Sequence, residues 1–325
     1  MKNINLSIII VSWNVRKELA DCLRSVENNK PDCEFEIIVV DNASSDGTVE
    51  PIQKEFPHTT VIANHDNRGF SAANNQAIKI AKGEYLLLLN PDTIVHKNSL
   101  DNLIKALDEN PDAGISGPKL IDENGILCPS IGYIPTFRSI LYSKTFFRTL
   151  GIFRSHYKKL TAQNFNYDKQ NKVEQLSGAA LIVRHSVMNK IGNMDESFFL
   201  YYEDVDLCLR VRNAGFKITY VPTATITHIG GMSSIQISAK KRIMLYRSLF
   251  IYLRKHKGNF KTVLFGLIFK PGVIIKDMWN IFAGLATYIF SVLVFDRTRQ
   301  KKTLAKVTNS AIFLVKYSWE FIFRC

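Results

Sequence analysis

The sequence predicts an α/β protein: a mostly parallel central sheet flanked by helices, followed by a C-terminal helical, membrane-associating extension. Three observations carry this. Short apolar runs rich in Ile and Val alternate with helical patterns as far as residue 120. Carboxylates stand directly behind several of those runs. The basic residues collect in a greasy tail.

Strands are expected at Leu6–Trp13, Phe35–Val40, Thr59–Ala63, Glu84–Leu89 and Ala113–Ser116. Continuous apolar runs of this kind belong to strands buried on both faces. Helices are expected between them at Lys17–Glu27, Thr48–Phe56, Ser71–Lys82 and Leu100–Glu109, with Gly83 stopping the third. Lys119–Leu127 reads as a hairpin turning at Glu123-Asn124-Gly125. From Ile131 to Lys172 periodicity fails, and the segment is basic and aromatic. Regular signals resume with a strand over Val173–Arg184 and a helix over Val205–Asn213 closed by Gly215. Strands at Lys217–Val221 and Thr225–His228 and a basic helix from Ile237 to Lys257 follow. The expected division is 1–235 for a catalytic domain and 236–325 for the extension.

The net charge of +13 is unevenly spread. Residues 236–325 hold 17 Lys and Arg against 3 Asp and Glu, leaving 25 against 26 in residues 1–235. Basic tails suit nucleic acid or an anionic membrane. This one is rich in Phe, Ile and Leu and has no nucleic-acid motif, so an anionic membrane surface is the expected partner and nucleic acid is not. Its longest apolar stretch, Met278–Phe295, reaches about 27 Å as a helix, just short of a hydrocarbon core of about 30 Å. An interfacial or re-entrant helix comes first, a tilted span second, and a buried helix of a second globular domain third. Five cysteines without paired metal-ligand spacing suit a reducing cytosol. Leu6–Trp13 reads as a first strand rather than a signal sequence.

A carboxylate at the end of a buried strand costs desolvation unless it binds something. Asp41 follows Ile37-Ile38-Val39-Val40 and could accept a hydrogen bond from a base or a ribose hydroxyl. Helix capping explains Asp46 but not Asp41. Arg68-Gly69 stands before a helix N-terminus, a place for an anion or a base edge, or for a solvated arginine. In Asn90-Pro91-Asp92 the proline forces its predecessor extended and presents Asn90 and Asp92 at a kink. A divalent cation sharing phosphate oxygens fits there, and so does a plain Asx turn. His228 precedes Gly230-Gly231, where backbone can approach a phosphate, although a lone histidine is more often structural. Glu203-Asp204 opens a helix, where the dipole alone favours acids. The preceding Phe198-Phe199-Leu200-Tyr201-Tyr202 adds an apolar wall that raises a carboxylate toward general-base duty.

Together these segments resemble a known family. Ser7–Asn14, Val39–Thr48, Asn67–Phe70, Asn90-Pro91-Asp92, Ser177-Gly178-Ala179-Ala180 and Glu203-Asp204-Val205-Asp206 match the family-2 inverting glycosyltransferases. With His228, the set looks most like their bacterial rhamnosyltransferase branch. The resemblance spans Leu6 to Gly231. It implies a GT-A fold, a nucleotide-sugar donor (dTDP-rhamnose first, a UDP-sugar as the alternative) and a divalent metal, Mg2+ or Mn2+. Carried over by position, Asp41 and Arg68 hold the base, and Ser12 and Trp13 line its pocket. Asp92 and His228 hold the metal, with Asn90 where the usual Asp-x-Asp motif has its first acid. Gly178 and Ala179 lie on the acceptor side. Asp204 is the expected base, with Glu203 as the substitute. The expected acceptor is a saccharide or glycolipid, and the expected location is the cytoplasmic face of the bacterial inner membrane, peripheral or with one span. The rival readings are a non-catalytic nucleotide-sugar-binding scaffold and a nucleic-acid-binding protein.

Overall fold

The computed structural model of the protein describes residues 4–230 and 238–325. In chain order the first part comprises β1 (Leu6–Ser12), α1 (Arg16–Asn28), β2 (Phe35–Asp41), α2 (Val49–Glu55), β3 (Thr60–Ala63), α3 (Phe70–Ile80), β4 (Tyr85–Leu89) and β5 (Thr93–Val95). There follow α4 (Ser99–Asp108), β6 (Ala113–Ile121), β7 (Leu127–Cys128), β8 (Ile131–Gly132), α5 (Phe137–Lys144) and α6 (Arg154–Leu160). The chain continues through β9 (Asn171–Val173), β10 (Gln175–Leu176), β11 (Ala180–Arg184), α7 (His185–Ile191), α8 (Glu203–Asn213) and β12 (Lys217–His228). The described residues end in α9 (Ala239–Lys257), α10 (Asn259–Leu293), α11 (Arg297–Ile312), a π-helical turn at Phe313–Tyr317, and α12 (Ser318–Phe323).

Residues 4–134 and 161–230 form one compact unit. Its main sheet runs β3-β2-β1-β4-β11-β6-β12-β5, with β7 beside β6 and β9 beside β12. Successive strand residues face opposite sides, and both sides are apolar. Ile8, Ile10, Leu87 and Leu89 bury against Leu19, Leu23, Leu103 and Leu107 of α1 and α4. Ile9, Val11, Leu86 and Leu88 bury against Ala73 and Ala77 of α3 and Leu207 and Val211 of α8. Three layers result, as the continuous apolar runs require.

Strand direction decides where the functional residues go. β1, β2, β3 and β4 are parallel, so Ser12, Asp41 and Leu89 end on one edge. β11 runs antiparallel to both β4 and β6, with Ala180 opposite Leu89. β11 therefore starts at the edge where β4 finishes. β12 is parallel to β6, so His228 returns to that same edge.

Residues 135–160 and 238–325 form the second unit. Tyr246 of α9 packs its ring against Phe269, Phe313 and Phe321. The Asp277 carboxylate of α10 is buried, paired with Arg242 and accepting from the Ser310 hydroxyl at 3.1 Å.

The expected elements need four corrections. The segment from Ile131 to Lys172 is not irregular: it holds α5, whose N-terminus is a capping box of Thr136 and Ser139, and α6. These helices are too short for period reading, and residues 135–160 belong to the second unit rather than to the expected 1–235. Val173–Arg184 is three strands, because Glu174 and Ser177–Ala179 turn the chain between sheets. Lys217–His228 is one strand, with its register shifted between Val221 and Thr225. The expected helix start at Ile237, the boundary at 235/236 and Gly231 lie outside the described residues.

Candidate active site

The carboxyl edge of the sheet gathers the candidate residues in three groups. Ser12 and Asp41 are register partners on β1 and β2, both buried. Asp41 accepts from the Ser44 N–H at 3.0 Å through one oxygen. Its other oxygen and the Ser12 hydroxyl have no hydrogen-bond partner among the described residues. Buried polar atoms left this way cost free energy unless a ligand satisfies them. Trp13 beside them is 53% exposed, a ring available for stacking.

Asn42 knits the loops around this pair together. Its amide donates to Asn67 and to the Gly69 carbonyl, and its carbonyl oxygen accepts from Asn64 and from the Arg68 N–H at 3.0 Å. The structure thus ties the Arg68 backbone, while the Arg68 guanidinium is exposed and reaches Asp66 at 3.4 Å. No hydrogen bond or ion pair joins Arg68 to Asp41 among the described residues. Gly69 has φ +84 and no space for a Cβ, which would meet the backbone of Phe199 at 2.7 Å. The Phe70 N–H donates to the Phe199 carbonyl at 2.7 Å, so the aromatic run 198–202 is docked on the start of α3. Sequence reading gave no role to Asn14, which has positive φ, donates its backbone N–H to the Ser44 hydroxyl and accepts from the Ser45 N–H through its side-chain oxygen. An asparagine just behind a strand was the signal, since Asn tolerates left-handed backbone.

The second group is Asp92 with His228. Their side chains approach to 3.3 Å, and the Ile229 N–H donates to the Asp92 carbonyl at 2.9 Å. Burial pushes the Asp92 carboxyl up, but the hydrogen bond and charge of His228 and the Gly230 N–H outweigh it and hold Asp92 below the usual range. A Cβ at Gly230 would collide with an Asp92 oxygen. No cluster of three or more His, Cys, Asp or Glu that could hold an ion occurs among the described residues. The chain therefore offers a divalent cation one ionised carboxylate and one imidazole, leaving the remaining positions to phosphate oxygens and water. That donor set fits a hard cation shared with a diphosphate. Asn90 contributes backbone here: its N–H donates to the Ala179 carbonyl at 2.9 Å and its carbonyl accepts from the Thr93 hydroxyl.

The third group is Gly178 with Asp204 and Glu203. The Gly178 N–H donates to Asp204 at 3.1 Å, and a Cβ at Gly178 would press on the Asp204 side chain at 3.1 Å. Burial raises both carboxyls; the charge of Asp204 raises Glu203 further, while backbone N–H groups partly offset the rise at Asp204. One Glu203 oxygen is buried with no hydrogen-bond partner among the described residues. Tyr201 and Tyr202 enter α8 in the left-handed region at φ 71 and 68. Each costs about 1–2 kcal/mol, strain that recurs at functional sites. Asp206, by contrast, is fully buried against Arg210 at 2.8 Å and is structural.

A family model for Glycosyl transferase family 2 matches residues 7–170. The chain is 30% identical over 242 residues to N-acetylglucosaminyl-diphospho-decaprenol L-rhamnosyltransferase of Mycobacterium tuberculosis, covering 70% of this chain and 78% of that protein. It is 27% identical over 258 residues to rhamnosyltransferase WbbL of Escherichia coli, covering 77% and 93%. Among solved structures, the mannosyltransferase PcManGT from Pyrobaculum calidifontis, in complex with GDP-Man and Mn2+, superposes with a TM-score of 0.55 at 15% identity over 96% of this chain and 88% of that one. The catalytic architecture is a GT-A fold.

Two outcomes follow from the geometry. Gly230→Ala should displace the Asp92 carboxylate and cut transfer about 10–100-fold without lowering the unfolding temperature; unchanged turnover would show that Asp92 has no role in transfer. Because the Glu203 carboxyl is raised in the fold, its neutral form favours the fold at acid pH, and that contribution is lost as pH rises through the folded value. Glu203→Gln should therefore gain melting temperature over the parent on going from about pH 5 to about pH 8; a constant difference contradicts the raised carboxyl.

Proposed function

The chain belongs to glycosyl transferase family 2, and from that premise we propose that it is an inverting transferase moving a sugar, rhamnose first, from a nucleotide donor to a lipid-linked saccharide. The observation that carries this reading is the Asp204 carboxylate, held by the Gly178 N–H on the sheet edge that also presents Asp92 with His228.

On this reading the unsatisfied Asp41 oxygen and Ser12 hydroxyl receive the donor's base or ribose, and exposed Trp13 covers it. Arg68 swings from Asp66 to the nucleotide. Asp92 and His228 would hold a divalent cation, which when bound neutralises charge building on the leaving diphosphate. Asp204 accepts the proton of the acceptor hydroxyl as that oxygen attacks the anomeric carbon from the face opposite the nucleotide. Its raised carboxyl makes it a stronger base than an exposed aspartate and keeps the transferred proton. Gly178 orients Asp204, and with Ala179 it leaves the acceptor side free of bulk. The M. tuberculosis relative is named for a decaprenyl diphosphate sugar acceptor. Among the described residues one helix is long and apolar enough to cross a membrane, and with that name it supports action at a membrane on an acceptor for a surface polymer; the location in this proposal is the cytoplasmic face of the inner membrane.

With dTDP-rhamnose as donor, NMR of the product should show the anomeric configuration reversed. Asp204→Asn should lower kcat about 10²–10⁴-fold with donor affinity retained. Near-normal turnover would transfer the base role to Glu203. For the parent, kcat/KM should climb with pH through the raised carboxyl and then level, since only the ionised form takes the proton. EDTA should abolish transfer; turnover surviving both EDTA and Asp92→Ala removes the cation from the mechanism.

A further inference from the structure

The second unit has a surface that the chemistry of transfer does not use. α10 is 35 residues long, about 52 Å as a helix, far more than a hydrocarbon core requires. Its buried residues, among them Thr262, Phe265, Phe269, Val273, Asp277, Gly284 and Ser291, recur along one face from end to end. Its exposed large side chains recur just as regularly along the other, from Phe260 through Leu267, Ile275, Phe282 and Ile289 to Leu293. Between Phe260 and Leu293 the only charge on that exposed face is Lys261, in the first turn. The apolar surface is thus a stripe parallel to the helix axis. A spanning helix has instead an apolar belt running all round it.

The other charged groups of α10 point the other way and are engaged. Lys276 donates to the Lys144 carbonyl at 3.3 Å, Lys270 to the Ile322 carbonyl at 2.7 Å, and Asp277 takes Arg242 and Ser310. A span centred on α10 would draw these charges into hydrocarbon. A span shifted to Met278–Phe295 fares no better, because α11 lies alongside. Gln300 donates to the Ser291 carbonyl at 3.0 Å, and Gly284 is backed by Val307, where a Cβ would collide. Arg297, Arg299, Lys301, Lys302 and Lys306 therefore lie alongside the second half of that stretch, Lys306 near its middle and Arg297 near its end, and all five are exposed. Five cations at bilayer depth are prohibitive, whereas beside headgroups they are complementary to anionic lipid.

We propose that α10 lies in the plane of an anionic bilayer, its exposed stripe sunk into one leaflet and the cations of α11 set against the lipid phosphates, and that it does not cross. This deepens the membrane-bound reading above and rests on it. Trp279 and Trp319, both exposed, supply the amphipathic rings that settle at such an interface.

The test labels the full chain, with Cys33 replaced by Ser, through single substitutions Leu264→Cys, Ile275→Cys, Leu285→Cys and Leu293→Cys carrying an environment-sensitive fluorophore. Depth is read by quenching from lipids brominated at known positions, in phosphatidylglycerol–phosphatidylcholine vesicles. The expected result is four similar, shallow depths. A depth that changes steadily along the helix and passes the bilayer centre overturns the in-plane arrangement while leaving the membrane-bound reading intact. Labels that never leave water overturn both. In a second arm, Lys301→Glu, Lys302→Glu and Lys306→Glu together should weaken partition to the anionic vesicles on the order of 10²-fold or more and leave binding to pure phosphatidylcholine nearly unchanged. Equal loss on both lipids would overturn the role assigned to the cations.

Discussion

The site depends on one backbone pairing, that of Leu89 with Ala180 across β4 and β11. In a wholly parallel sheet every strand delivers only its C-terminal end to the ligand edge. β11 is inserted the other way round, so the turn before it, Ser177–Ala179, arrives at that edge instead. The Asn90 N–H then locks onto the Ala179 carbonyl, and the free Gly178 N–H meets Asp204. Asn90 and Asp204, far apart in the chain, are linked through two hydrogen bonds made by this one short turn. Gly178 is required by this crowding, since the Asp204 side chain lies where a Cβ would go.

Four acids on this edge show how environment divides one residue class into different tasks. Asp206 and Asp204 are two positions apart on α8. Asp206 faces inward onto Arg210, whose guanidinium also holds the Ile191 and Gly192 carbonyls, so its charge is spent on structure. Among the described residues Asp204 has only backbone N–H partners, too few to offset its burial, and its carboxyl rises. Glu203 rises with it, chiefly through its own burial and further through the neighbouring Asp204 charge. Asp92 is also partly buried, but a facing imidazole reverses the balance. A low carboxyl suits cation binding and a raised one suits proton transfer. The strained Tyr201-Tyr202 entry into α8 is the backbone feature that aims Glu203 and Asp204 at this edge.

Much of this was legible in the sequence because it follows from local rules. The runs ending at Val40 and Leu89 are fully apolar, and only strands covered on both faces tolerate that, so the sequence alone places Asp41 and Asp92 at strand ends. The pairing of Asp92 with His228 was reached through resemblance, since no local rule links residues so far apart. Other features were out of reach for definite reasons. The direction of β11 is set by its partners, and nothing in Ala180–Arg184 states it. Asn42 acts through four hydrogen bonds to loops that must first be folded. Phe137–Lys144 is a helix of barely two turns, below the length at which a 3.6-residue period declares itself.

The tail shows the same limit from the other side. Hydropathy along a line treats the residues of α10 as a series, and a window containing Met278–Phe295 scores as membrane whichever way its side chains point. Whether such a helix crosses a bilayer or lies on it depends on the angular distribution of its charges and on what packs beside it. Asp277 and Lys276 interrupt the series and, read linearly, only shorten the apolar stretch. In three dimensions both turn toward Arg242, Ser310 and Lys144, and the opposite face is left apolar from Val263 to the end of the helix. The neighbour decides the matter: a basic α11 antiparallel to the apolar half of α10 cannot follow it into hydrocarbon, so the polarity of one helix fixes the depth of the other.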